Sequence, residues 1–185
     1  LSPDAGVTVK HRQGINYGDR SRPAPQLRDH RLFDCPSFPP GSFLHLDTDA
    51  LPLVGDIETH SRDSTDFSSF AWPQLIIKQS WQKSTGRFQA RLSRSAVQNV
   101  ALCNQSYLTI HAPEPVLEAA CLSFNSLVAV YFLQMTSGRI AAYRPTALVP
   151  QLLELPLPPP EPGMIEGLEN YEDLDNRSFD AFGLK

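Results

Sequence analysis

Five basic side chains, Lys78, Lys83, Arg87, Arg91 and Arg94, fall within a run, residues 67–113, that contains no aspartate or glutamate. Among them stand Gln79, Gln82 and Gln89, whose carboxamides pair a donor with an acceptor, and Trp81, with a broad aromatic face. Cations and amides without neighbouring carboxylates are equipped to hold a negatively charged partner. They are poorly equipped for metal-assisted hydrolysis, which needs a carboxylate cluster. Widening the window to residues 67–153 brings in Arg139 and Arg144, giving seven basic against two acidic residues, or +5. Residues 1–66 come to −3 and residues 154–185 to −6, so the overall −4 conceals a basic centre between two acidic ends.

These side chains need a scaffold, and the local pattern supplies a β-hairpin. Leu75, Ile76 and Ile77 form a short run of strand formers, and Ser84-Thr85-Gly86 is a turn cluster. Beyond the turn the residues alternate, with Phe88, Ala90 and Leu92 on one side and Arg87, Gln89 and Arg91 on the other. The first side is expected to lie on a core. The second is expected to carry guanidinium and amide groups into solvent.

The rest of the 185 residues reads as one α+β domain with an appendage: a small mixed or antiparallel sheet with a central buried helix. A short strand near Val7 and Val9 runs into a loop with Gly14 and Gly18, read either as a simple turn or as a backbone contact loop. Residues 21–40 are polar and rich in proline, hence irregular, and residues 43–46 form a strand. Residues 99–111 give one or two more strands, interrupted at Asn104-Gln105. Pro113-Glu-Pro115 opens a helix that stays apolar on nearly all sides through Leu133 and stops at Ser137-Gly138. This helix is expected to be covered by protein, because Glu118, Ser123, Asn125, Ser126 and Gln134 interrupt what would otherwise resemble a membrane span. A second short helix is expected at 147–153. Residues 1–158 then make up the binding domain, and 159–185 an acidic tail, read either as a docked terminal helix or as a mobile segment.

Several chemistries lack their signatures. The chain has no G-x-S-x-G, H-E-x-x-H or P-loop motif. Asp47, Asp49, Asp56 and Glu58 could supply carboxylates for a metal nuclease reading, but they read as loop and cap residues. Cys35, Cys103 and Cys121 cannot all pair with one another and show no C-x-x-C spacing. Reduced thiols in a cytoplasmic protein are the expectation, with no signal-peptide pattern at the N-terminus.

An ordered set of motifs resembles a known family. Phe70-Ala-Trp-Pro73-Gln-Leu-Ile-Ile-Lys78 is followed by Gly86-Arg-Phe-Gln-Ala90 and then by Cys103-Asn-Gln-Ser-Tyr107. Next comes Leu122-Ser-Phe-Asn125-Ser126-Leu-Val-Ala-Val-Tyr131-Phe132. Together with His11-Arg-Gln-Gly14-Ile-Asn-Tyr-Gly18-Asp, Thr136-Ser137, Arg144-Pro145 and Leu152-Leu-Glu-Leu-Pro-Leu-Pro158, these are similar to the C-terminal target-recognition (specificity) domain of adenine-specific DNA methyltransferases, of the TaqI-like and type IIG restriction–modification kind. The resemblance covers roughly residues 7–158. Gln74 departs from it, standing where a lysine or similar residue is common. The family's N-P-P-Y catalytic loop and its S-adenosylmethionine-binding glycine motif do not occur in this chain.

The resemblance implies double-stranded DNA as partner, with no catalysis and no cofactor in this chain. S-adenosylmethionine is expected on a separate catalytic methyltransferase domain or subunit. A methylase rotates its target base out of the stack, so another module must hold the duplex and read its sequence. For that task Lys78, Lys83, Arg87, Arg91 and Arg94 are the candidates for phosphate or guanine, with Arg139 and Arg144 beside them. Gln79, Gln82 and Gln89 suit adenine, Asn104 and Gln105 are further candidates, and Trp81 either stacks or covers the core. The rival readings are a protein-interaction or structural module, with the basic face meeting an acidic surface such as the chain's own tail, and a metal-dependent nuclease.

Overall fold

The computed structural model describes residues 8–15, 27, 30–39, 42–54, 67–97, 101–137 and 147–184. In chain order its strands are β1 (Lys10–Gln13), β2 (Arg31–Phe33), β3 (His45–Asp47), β4 (Gln74–Gln82), β5 (Arg87–Arg94), β6 (Ala101–Cys103) and β7 (Tyr107–His111). The helices are α1 (Glu114–Asn125), α2 (Leu127–Thr136), α3 (Val149–Leu153) and α4 (Tyr171–Ala181). The fold is α+β. One mixed sheet runs in the order β1-β7-β4-β5-β3, with β3 parallel to β5 and the other neighbours antiparallel, and β2 pairs with β6 as a small parallel ribbon.

The β4–β5 hairpin lies in the middle of this arrangement. Leu75 faces Leu92 and Lys78 faces Gln89, and Gly86 closes the turn at φ +65°, a conformation that other residues rarely adopt. The alternation in β5 divides two cores. Phe88, Ala90 and Leu92 join Leu75, Ile77, Leu108 and Ile110 under α1, α2 and α4. Ile76, Leu46 and Tyr107 lie on the opposite side beneath Phe33, Phe38, Phe70 and β6. The sheet is therefore covered on both faces. Its second cover comes partly from Leu27, Phe33, Phe38 and Val54, and the proline-rich stretch expected to be irregular contributes β2.

The helix expected to run unbroken through Leu133 is instead two helices bent by 71°. Ser126 takes an extended conformation and its hydroxyl accepts a hydrogen bond from the Val128 amide, so it ends α1 and caps α2. α1 is buried along Leu117, Ala119–Leu122 and Phe124, as a central helix should be. α2 is not covered throughout, since Tyr131 and Met135 are exposed. Among the described residues no single helix is long and apolar enough to cross a membrane.

Two tight contacts complete the frame. A Cβ on Gly14 would lie 2.0 Å from the Asn104 carbonyl oxygen, so this glycine serves the close approach of β1 to the 103–107 turn. Gly18 lies outside the described residues. The acidic appendage contributes a docked helix: Leu174 of α4 is wholly buried in the helix-side core.

At the edge of the sheet β3 pairs β5 only at Leu92, Ser93 and Arg94, so Ala90, paired with Ile77 of β4 on one side, has no strand on the other. The Asn125 carboxamide fills that place. Its Oδ1 accepts from the Ala90 amide at 3.2 Å and its Nδ2 donates to the Ala90 carbonyl at 2.9 Å, as a paired residue on another strand would. Nδ2 also donates to the Cys121 carbonyl at 2.8 Å, tying the end of α1 to the hairpin. Asn125→Ala should therefore cost about 3 kcal/mol, since it leaves several buried backbone groups unpaired. The urea midpoint should fall accordingly; a shift equivalent to less than about 1 kcal/mol would show that water replaces the amide.

Candidate functional site

The structure corrects the expectation that the hairpin projects its polar side into solvent. Arg91 is 4 % exposed and Gln89 and Lys78 are each 7 % exposed. Arg91 donates from Nε to the Ser42 carbonyl and from Nη1 to the Ala90 carbonyl and Asn125 Oδ1, and its guanidinium stacks on Phe38 at 4.8 Å. Lys78 donates from Nζ to the Pro36 carbonyl at 2.7 Å and to Gln82 Oε1 at 3.1 Å. Burial lowers the pKa of both cations from its ordinary value. Arg87 is taken up differently. Its guanidinium forms a two-pronged pair with Asp175 at 2.8 and 2.6 Å and stacks on Tyr171 at 4.7 Å.

The reason is the second layer. Alternation showed which side chains share a face, but the far face is roofed by residues 36–39, 42 and 43 and by the start of α4. Lys83 and Arg94 remain exposed, at opposite ends of the hairpin, so its cations form no continuous basic ribbon. Trp81 covers the core, packing edge-on against Phe88 at 5.6 Å. Gln82 Nε2 donates to Ser84 Oγ and Gln89 Nε2 to the Tyr171 hydroxyl. Arg139 and Arg144 lie outside the described residues.

Three other candidates do come together. Gln79 at the outer half of β4 and Asn104 and Gln105 in the β6–β7 turn meet at one end of the sheet, where Gln13 of β1 joins them. Gln13 Nε2 donates to the Gln105 carbonyl at 2.7 Å and Gln79 Nε2 to the same oxygen at 3.4 Å. Asn104 Nδ2 donates to Asp34, and its Oδ1 accepts from the Ser106 amide and shapes the turn. Gln13 and Gln105 are exposed and Gln79 and Asn104 half-buried. The result is a patch of carboxamides with some of their donors fixed by the fold. Gln13 was not marked by its sequence neighbourhood, because only the β1–β7 register places it opposite Leu108.

Of the carboxylates that a metal nuclease would use, Asp49 accepts from Ser95 and the Ala96 amide and Asp47 accepts from the Asp49 amide; Asp56 and Glu58 lie outside the described residues. Burial pushes the Cys103 and Cys121 thiols up to about 12, whereas Cys35 is exposed. No protein-family model matches the chain, and no curated protein matches it significantly.

Two predictions concern how the cations are held. Asp175 accepts from Arg87 and also from the Leu127 amide at 2.9 Å, so it joins β5, α2 and α4. Asp175→Ala should cost about 3 kcal/mol, as breaking one partner out of a nearly buried ion pair does. In a double-mutant cycle with Arg87→Ala the two losses should be strongly non-additive. His45 of β3 is held at a pKa of about 4, first by burial and then by the charges of Arg94 and Arg91. The unfolded chain takes up this proton near 6.5 and the folded chain resists it. His45 therefore costs nothing above about 6.5, and stability falls as the pH drops from there towards 4. Urea titrations at several pH values should show that loss reduced in His45→Gln; an unchanged slope would remove His45 as its source.

Proposed function

We propose that this chain is a sequence-specific duplex DNA recognition module of an adenine-specific DNA methyltransferase or restriction–modification enzyme, non-catalytic by itself. The observation that carries the reading is the gathering of Gln13, Gln79, Asn104 and Gln105 at one end of the sheet. Paired carboxamide donors and acceptors match the major-groove edge of adenine. Resemblance adds support through placement. Its Cys103–Tyr107 piece forms the turn bearing two of these amides, and its Asn125-Ser126 piece forms the helix break that fixes the hairpin. In this reading the hairpin is the scaffold and the sheet end is the reading surface. On the same reading S-adenosylmethionine and the methyl transfer belong to a catalytic partner.

α2 favours a second reading, a protein-interaction module. Leu127, Tyr131 and Met135, four residues apart and hence in one row, are 42, 68 and 70 % exposed. Under the first reading the same row faces the catalytic partner.

Fluorescence anisotropy with duplex oligonucleotides tests the proposal. Binding should weaken steeply as salt rises from about 50 to 200 mM. Gln79→Ala and Gln105→Ala should narrow the gap between preferred and random sequences by roughly 5- to 150-fold, the equivalent of about 1–3 kcal/mol per reading contact. Absence of duplex binding at the lowest salt would overturn the first reading and leave the second.

A further inference from the structure

Next to the hairpin tip lies a cleft of about 320 Å³, separate from the carboxamide patch. Phe43 and Tyr171 form its aromatic wall, packed edge to face at 5.0 Å, and Gln82, Ser84 and Thr85 form its polar rim. Arg91 lines its floor.

What distinguishes the cleft is the charge beneath it. Arg91 is 4 % exposed, and its hydrogen-bond acceptors, the Ser42 and Ala90 carbonyls, Asn125 Oδ1 and the Tyr171 hydroxyl, are all uncharged. Lys78, bonded to the rim residue Gln82, is likewise buried against uncharged oxygens. Asp175, the carboxylate on α4 that reaches the hairpin, is engaged by both terminal nitrogens of Arg87. Arg91 thus lines the cleft, with Lys78 behind its rim residue Gln82, and neither has a carboxylate among its described partners. A buried charge in that condition is costly, and an anion entering the cleft would relieve the cost.

We propose that this cleft is a nucleotide site, which takes a phosphate group over Arg91 and the attached base against Phe43 and Tyr171. The anion answers the Arg91 charge, and the half-buried Phe43 ring, set edge to face with Tyr171, supplies an aromatic face for the base. The volume lies at the lower end of the range of small-molecule sites and suits a mononucleotide better than a larger cofactor. The inference does not depend on duplex recognition: none of Gln13, Gln79, Asn104 and Gln105 lines the cleft, although Gln79 stands only three residues before Gln82 on β4.

The test is isothermal titration of the full chain with dAMP, deoxyadenosine and inorganic phosphate. dAMP should bind, deoxyadenosine at least tenfold more weakly for want of the charge, and phosphate at least tenfold more weakly for want of the ring. Ser84→Glu adds a carboxylate at an exposed turn position where folding is not at risk, and should weaken dAMP at least tenfold by supplying the missing negative charge. Arg91→Gln, checked for folding by circular dichroism, should abolish binding. No dAMP binding at millimolar concentration, or binding that Ser84→Glu leaves unchanged, would falsify the site; equal affinity for inorganic phosphate overturns its nucleotide character. Duplex titration of Ser84→Glu keeps the two readings apart. Duplex binding retained while dAMP binding is lost supports the cleft on its own, and dAMP binding without duplex binding overturns only the recognition module.

Discussion

The structure depends on one carboxamide. Asn125 presents to Ala90 the donor and acceptor of an absent strand, and from the same side chain it holds Cys121 of its own helix and the Arg91 guanidinium. Four consequences follow from that position. α1 is fixed against the hairpin, Arg91 has a partner inside the fold, the chain turns through Ser126 into α2, and the end of α1 meets the start of α4. Buried polar groups stabilise a fold only when nearly every bond they can form is formed, and Asn125 is wholly buried with its amide bonded on both sides.

Around this point the polar groups of β5 are resolved one after another along the strand. Arg87 finds a carboxylate 88 residues away, Gln89 a tyrosine hydroxyl 82 residues away, and Arg91 a backbone carbonyl 49 residues upstream. α4, whose segment is strongly acidic, thereby becomes a structural partner of a basic strand. Opposite charge within the chain is used here to assemble the fold.

Much of the scaffold could be read in the amino-acid order, and the reasons are local. The turn at Ser84-Thr85-Gly86, the alternation in β5, the short helix after Ala147 and the pause at Asn104-Gln105 all rest on neighbouring residues. The destination of the arginines could not be read. Period-two alternation identifies a face without saying what covers it, and the cover comes from residues 36–39, 42 and 43, in a stretch whose prolines suggest an open connector. The helix break was hidden for a related reason: Ser126 is compatible with a helix interior until Asp175 and Asn125 reward stopping there. Gln79, Asn104 and Gln105 do converge, whereas Lys78, Arg87 and Arg91 are spent inside the protein.

The margins of the main sheet carry a last implication. Its outer strands are only four and three residues long, and where β3 gives out a side-chain amide occupies the vacant backbone positions of β5. An intruding peptide would have to displace Asn125 before it could add itself to the ladder there. The device that orients the helices thus also guards the molecule against templated self-assembly, the hazard that an open sheet border otherwise invites.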